Sequence, residues 1–193
     1  NDSLCYFLRL SHTYYVEMNE CFLFEDEWLQ AAKTIVSLWK LEQQHNELSD
    51  YTYPALKNGG KGTRTCNTGM TWCGSRPSDD VCNYQFLVPS NMFAVVVLRH
   101  LKEILNDCYP EEQDFFQTVE TLEFEIDEAI HVHGTRKING ELSYVYEVSG
   151  CGEYNFMDDA NVPSLLSMDY LGYWSPYDPD GKIKMHTIKT ILS

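Results

Sequence analysis

The sequence predicts an all-α chain: helix pairs in a single domain, with a small β-hairpin and long loops. Three observations carry this. Apolar residues recur at three- and four-residue spacing through several long segments, as they do where one helix face is buried. Alternation is confined to a short segment beside the tight-turn pair Asn139-Gly140. The connecting stretches are long and rich in glycine, aromatics and carboxylates, and long loops without regular structure tend to carry function. The 193 residues suffice for one domain with a sizeable core.

The first expected helix is Asp2 to Met18. Asp2 or Ser3 can cap it, and Leu4, Phe7, Leu8, Ser11, Tyr14, Tyr15 and Met18 share its apolar side. A short link, Asn19 to Phe24, leads to a longer helix from Asp26 to His45, with Trp28, Ala31, Ala32, Ile35, Val36, Leu38 and Trp39 as its stripe. The two form an αα-hairpin. Glu42 and His45 have the Glu-x-x-His spacing of di-iron bundles, but no second copy exists, so a solvated helix end is expected. Asn46 to Cys66 is a surface loop; its Gly59-Gly60-Lys61 lacks the rest of a phosphate-binding pattern.

After the stretch Thr68–Phe93, Asn91 to Asn106 reads as a helix apolar nearly all round at its start, hence buried. Pro110, Glu111 and Glu112 open the next helix, which runs to His133 and stops at Gly134. Leu142 to Val148 is expected as a strand of the hairpin. Ser149 to Asn161 is a second irregular loop, and Asn161 then caps a short helix, Val162 to Met168. An aromatic loop, Tyr170 to Trp174, and a turn at Asp178–Gly181 precede a last helix from Lys182 to Leu192.

Twenty-nine acidic against 14 basic residues leave a net charge of -15. That excludes nucleic acid and anionic membrane surfaces as partners, because phosphate binding needs clustered Lys and Arg. The longest strongly apolar stretch, Met92 to Leu98, is too short to span a bilayer. Seven cysteines show no Cys-x-x-Cys spacing, so no zinc site is expected. Some can pair in an oxidising compartment, while Cys5 and Cys108, on apolar faces, read as buried thiols. The chain opens without Met, at Asn1-Asp2-Ser3, and ends on an uncapped apolar segment. Both ends read as cuts in a longer chain.

The chemistry concentrates between Thr68 and Phe93, which hold Trp72, Arg76, Asp79, Asp80, Tyr84 and Asn91. Two readings stay open. One is a site on a loop; the other is a capped helix start, with Ser78 as N-cap and Asp79 and Asp80 in the first turn. The second loop carries another pair, Asp158 and Asp159. From residue types alone, Asp79 with Asp158 or Asp159 would be an acid–base pair.

The blocks TGMTW, RPSDD, YQFLVPSNMFAVVVL and YEVSGCGEYNFMDDANVPSLLSMDYLGY, with the opening DSLCYFLRL, resemble glycoside hydrolase family 125. The resemblance is collinear over nearly the whole chain. It implies a six-hairpin (α/α) barrel and an exo-acting, inverting α-1,6-mannosidase that needs no metal or other cofactor. It makes Asp79 the general acid. The family's general base is a Glu in a Met-His-Glu-Ser-Phe-His block near its C-terminus, and its Trp-Leu-Arg-Asp-Ser block lies upstream; neither stands here. The chain is therefore expected to be the middle of a family member, a partial barrel, inactive and unstable alone. The expected substrate is an α-mannoside oligosaccharide or one derived from an N-glycan, and the complete protein is expected to be a monomer. Cytoplasmic and secreted locations both stay open. Ser75, where the family usually has an aromatic, and SPYDPDGKIKM depart from its pattern.

Inversion needs two carboxyl groups about 6.5–9.5 Å apart, one protonating the leaving oxygen and one activating water. A helix N-terminus would hold Asp79 ionised, so the acid role requires an enclosed pocket with a second carboxylate near it. Neighbouring helical residues point ~100° apart, which leaves Asp80 to structure or sugar binding. Arg76, Asn91, Asp158 and Asp159 are candidate ligands for sugar hydroxyls, over a floor supplied by Trp72, Tyr84 or Trp174. Bracing of the loops is the competing reading for each.

Overall fold

The computed structural model describes residues 1–21 and 24–193. Phe22 and Leu23, within the expected link, lie outside the described residues. Helix α1 (Asp2–Met18) and α2 (Asp26–Glu42) match the predicted hairpin, with α1 closed by Asn19 in the left-handed conformation. The predicted second helix is broken in two. After Glu42 a turn intervenes, and a single helical turn, α3 (His45–Leu48), follows. A further short turn, α4 (Lys57–Gly60), contains left-handed Asn58 and Gly59.

The centre of the fold is α5 (Val88–Cys108). It starts three residues earlier than the pattern predicts, because Pro89 sits in its first turn, where its missing N–H costs nothing. Met92 to Leu98 are 0–4% exposed: every face of these two turns is covered, by α1 on one side and α6 (Gln113–His133) on another. Each large apolar side chain buried there stabilises the fold by about 1.5–3 kcal/mol. This is why a helix without a polar stripe is stable at this position.

The expected hairpin forms around Asn139-Gly140, from β2 (Thr135–Ile138) and β3 (Glu141–Tyr144). The predicted single strand to Val148 is not continuous. Val145 and Tyr146 carry the chain out of the hairpin, and β4 (Glu147–Val148) enters a second antiparallel sheet, between β1 (Phe86–Leu87) and β5 (Tyr154–Asn155). This small sheet ties the two irregular loops together.

The expected helix Val162–Met168 is absent. Pro163 follows a cis peptide bond, and a 3-10 turn, η1 (Leu165–Ser167), runs into α7 (Met168–Leu171). Helix α8 (Lys182–Ile191) completes the chain. Two disulfides, Cys21–Cys108 and Cys66–Cys151, cross it. Cys5 is a buried thiol as expected, but Cys108 is paired: it ends α5, within reach of Cys21 just beyond α1. No helix among the described residues is long and apolar enough to cross a membrane.

Candidate functional site

The stretch Thr71–Ser75 runs along a cavity of about 240 Å³, which Trp39, Glu42, Tyr51 and Tyr53 also line. Trp72 stacks on His45, ring centroids 3.8 Å apart, with Tyr51 against it edge-on. The Glu42–His45 pair is not the solvated helix end that its spacing predicts. Both residues are buried; the Glu42 carboxylate accepts from His45 Nδ1 at 2.5 Å and from the Ser49 hydroxyl at 2.6 Å. Three polar groups of residues that line the cavity, Trp39 Nε1, Thr71 Oγ1 and Trp72 Nε1, are buried without a partner among the described residues.

Beyond Ser75 the chain turns sharply. Ser75 bridges Val81, Arg76 N–H donates to Asp80 O at 2.8 Å, and Asp79 N–H donates to Arg76 O at 3.0 Å. Asp79 lies at the turn with φ 65°, the left-handed region that Asp tolerates better than most residues. This corrects the capped-helix reading: Ser78 caps nothing, and no helix dipole bears on Asp79. The enclosed pocket that the acid role requires is not formed around Asp79 by the described residues. Among the described residues both Asp79 and Asp80 are exposed, since a tight turn thrusts its central side chains outward.

The turn is held from below by a residue the sequence reading missed. Glu147, on the central strand β4, has no exposed surface. Its carboxylate accepts from Arg76 Nε at 2.7 Å, Asn83 N–H at 3.1 Å, Tyr84 N–H at 3.4 Å and Asn155 Nδ2 at 3.4 Å. Arg76 also lies over the Tyr146 ring, 5.7 Å from its centroid. The Tyr146 hydroxyl is buried without a partner, and burial, with Asp159 close by, pushes its pKa up. The sequence offered one signal for Glu147: a charged residue flanked by Tyr146 and Val148 in an apolar strand, where burial demands a matched partner.

The Asp158–Asp159 loop closes on the same turn. The Ser78 hydroxyl donates to Asp80 Oδ2 at 3.2 Å and also faces Asp159. Asp158 accepts from Leu165 N–H at 2.7 Å and Leu166 N–H at 2.9 Å, so it caps the 3-10 turn, a role the sequence assigned to Asn161. Burial pushes its pKa up against the pull of those amides. Burial also raises Asp159, but hydrogen bonds from Asn161 N–H and Nδ2, with Ser78 and the Arg76 charge nearby, outweigh it and hold this carboxyl below its usual range.

Two expected ligands stand elsewhere. Asn91 is fully buried and turned to the backbone: it accepts from Thr71 N–H at 2.8 Å and donates to Thr71 O and Leu87 O. It braces the loop on α5 and presents nothing to a sugar. Trp174 lies under Arg99, 4.2 Å from its guanidinium, eight residues along α5 from Asn91. It is no floor for this site.

A helical scaffold with an aromatic cavity beside a carboxylate-bearing turn fits the glycoside hydrolase class, which comparison establishes. The family model described as metal-independent alpha-mannosidase (GH125) matches residues 1–193, and the chain belongs to that family. It is 35% identical over 213 aligned positions to the meiotically up-regulated gene 157 protein of Schizosaccharomyces pombe, covering 100% of this chain and 40% of that protein. A Streptococcus pneumoniae metal-independent α-mannosidase, solved in a non-productive complex with α-1,6-mannobiose, superposes with a TM-score of 0.89 at 40% identity. That match covers 100% of this chain and 46% of the bacterial one. The chain thus spans less than half the length of both relatives.

Proposed function

We propose that this chain supplies the acid side of the active site in an exo-acting, inverting α-1,6-mannosidase, and that its helices are part of a six-hairpin (α/α) barrel. One observation carries the reading. A single loop runs from the aromatic cavity wall at Trp72 to the exposed Asp79, and the Asp158–Asp159 loop meets it there. A mannose ring seated against Trp72 would present its bridging oxygen to the rim. Asp79 is the general acid. Trp72, Asp80 and Asp159 contact the sugar, while Arg76 and Asp158 keep the turn and its neighbour in place.

The enclosure that keeps Asp79 protonated, and the general-base Glu, come from parts of the polypeptide beyond this chain. The chain alone is therefore inactive, and the complete protein acts as a monomer on mannosides of the N-glycan type. Two disulfides support maturation in an oxidising compartment. The test is Asp79→Asn in the complete enzyme, assayed on α-1,6-mannobiose and on α-linked glucosides. Turnover of the mannobiose should fall by about 10³-fold or more with mannose still bound. Near-normal turnover in the variant, or a preference of the wild type for glucosides, refutes the assignment.

A further inference from the structure

We propose that Glu42 and His45 are positioning residues: they hold the Trp72 indole at the angle at which it receives a mannose ring, a role that rests on the reading of Trp72 as the sugar's floor. The pair sits where α2 ends and α3 begins. One carboxylate oxygen of Glu42 accepts from His45 Nδ1 at 2.5 Å, and the other from the Ser49 hydroxyl at 2.6 Å. Glu42 then grips Trp72 twice. Its backbone oxygen accepts from Trp72 N–H at 3.2 Å. Its side chain fixes the His45 ring, which lies 8° from parallel to the indole with centroids 3.8 Å apart.

The rest of the indole is held as closely. Tyr51 meets it edge-on, with centroids 5.9 Å apart. Gly74 leaves room for its outer edge: a Cβ there would fall 2.9 Å from Trp72 Cη2. Packing on a fixed ring and a fixed backbone restrains both torsions of the indole. Burial alone does not account for a carboxylate and an imidazole at this place. Apolar side chains of similar size would back Trp72 at a smaller desolvation cost. They would not supply direction, because a ring held only by packing can turn in its site. A hydrogen bond to a carboxylate sets the plane of the imidazole, and the imidazole sets the plane of the indole.

His45 acts through Trp72 and not on the ligand. It is buried behind the indole and is not part of the cavity lining, whereas Trp72 and Glu42 are. Glu42 therefore has two possible targets, the His45 ring and a ligand in the cavity, and its amide variant separates them.

The test is hydrolysis of α-1,6-mannobiose by variants of the complete protein. Calorimetry with mannose gives affinity and stoichiometry, so a loss of folded protein is read apart from a loss of affinity. His45→Asn removes the stacked ring but leaves an amide able to donate to Glu42. It should raise KM and the mannose Kd about tenfold and leave kcat within about twofold, because a platform binds ground and transition states alike. Trp72→Ala should do the same, and the two changes together should cost no more than Trp72→Ala alone. Glu42→Ala should weaken binding as His45→Asn does. Glu42→Gln, whose amide oxygen still accepts from His45 Nδ1, should recover most of that loss. Unchanged affinity in His45→Asn, costs that add in the double variant, or Glu42→Gln as weak as Glu42→Ala overturns the proposal. Where Trp72→Ala still weakens mannose binding, those results leave Trp72 as the floor. An unaffected Trp72→Ala removes the platform and the positioning role together, while Asp79→Asn reports on the acid alone.

Discussion

Glu147 and Asp79 serve the same turn and are physical opposites. Glu147 is completely buried and accepts from Arg76, two backbone amides and Asn155. Asp79 is exposed, at a left-handed position, and no hydrogen bond reaches its carboxylate among the described residues. A carboxylate taken out of water must be matched by donors, and once matched it is fixed in place. A carboxylate with no partner is free to meet whatever approaches it. The difference separates framework from chemistry, and each prediction below probes one side of it.

The largest effect belongs to Asp79. Asp79→Asn in the complete enzyme should abolish most turnover, by about 10³-fold or more, yet leave the denaturation midpoint within about 0.5 kcal/mol of wild type. A clear loss of stability would place Asp79 in the framework and erase the contrast. Glu147→Ala should do the reverse. It strips the buried partner from Arg76, whose guanidinium is then desolvated and unpaired, at a cost of about 3–5 kcal/mol in urea unfolding. Activity should fall with the folded fraction and recover where osmolyte restores folding. Loss of turnover in fully folded protein would instead make Glu147 part of the chemistry.

A smaller effect is expected where the two loops approach most closely. Gly150 has φ 78°, and an added Cβ would lie 2.2 Å from Cys66 O. Gly150→Ala should destabilise the complete protein by about 1–3 kcal/mol, because backbone beside the Cys66–Cys151 disulfide cannot move aside. Thermal denaturation checks it; an unchanged midpoint would mean that the loops are less tightly joined than their geometry implies. Asp158→Ala, which removes the cap of the 3-10 turn, should cost about 1 kcal/mol. Asn161→Ala should cost less, although sequence reasoning gave Asn161 that cap.

The helical body was legible because its signal is local. Helices α1, α2, α5 and α6 declare themselves through apolar spacing, and the Asn139-Gly140 hairpin through its turn residues. Residue types likewise paired the RPSDD and MDDAN loops before any geometry was known, and Ser78 does face Asp159. What escaped depends on partners distant in sequence. Glu147 reads as one more acidic residue until Arg76, 71 residues away, is seen against it. Asn91 reads as a polar group near a site until Thr71 claims both ends of its amide. Ser78-Asp79-Asp80 has the composition of a helix start, but Pro77 and the Ser75–Val81 bridge make it a turn. Residue type indicated that carboxylates mattered here; only three-dimensional pairing separates those that brace from those that are free.

The finest discrimination lies between neighbours. Asp158 and Asp159 are adjacent, yet burial pushes the Asp158 pKa up while hydrogen bonds leave Asp159 low. The signs follow from linkage. A depressed folded-state pKa means that Asp159 stabilises the fold above its unfolded pKa, and that this is lost as pH falls through the folded value. A raised one means that Asp158 binds its proton more tightly when folded, so its contribution is best at low pH and shrinks as pH rises to its folded pKa. Across the acid range the two oppose each other. Carboxyl carbon resonances of the complete protein should show Asp158 taking up its proton first as pH falls, with Asp159 following only at more acidic pH. Asp159→Asn removes the acid-labile contribution, so stability should fall less on acidification than in wild type. Titration in the reverse order would mean that the amides of Leu165 and Leu166 outweigh burial at Asp158, and that both carboxylates of this loop belong with the framework.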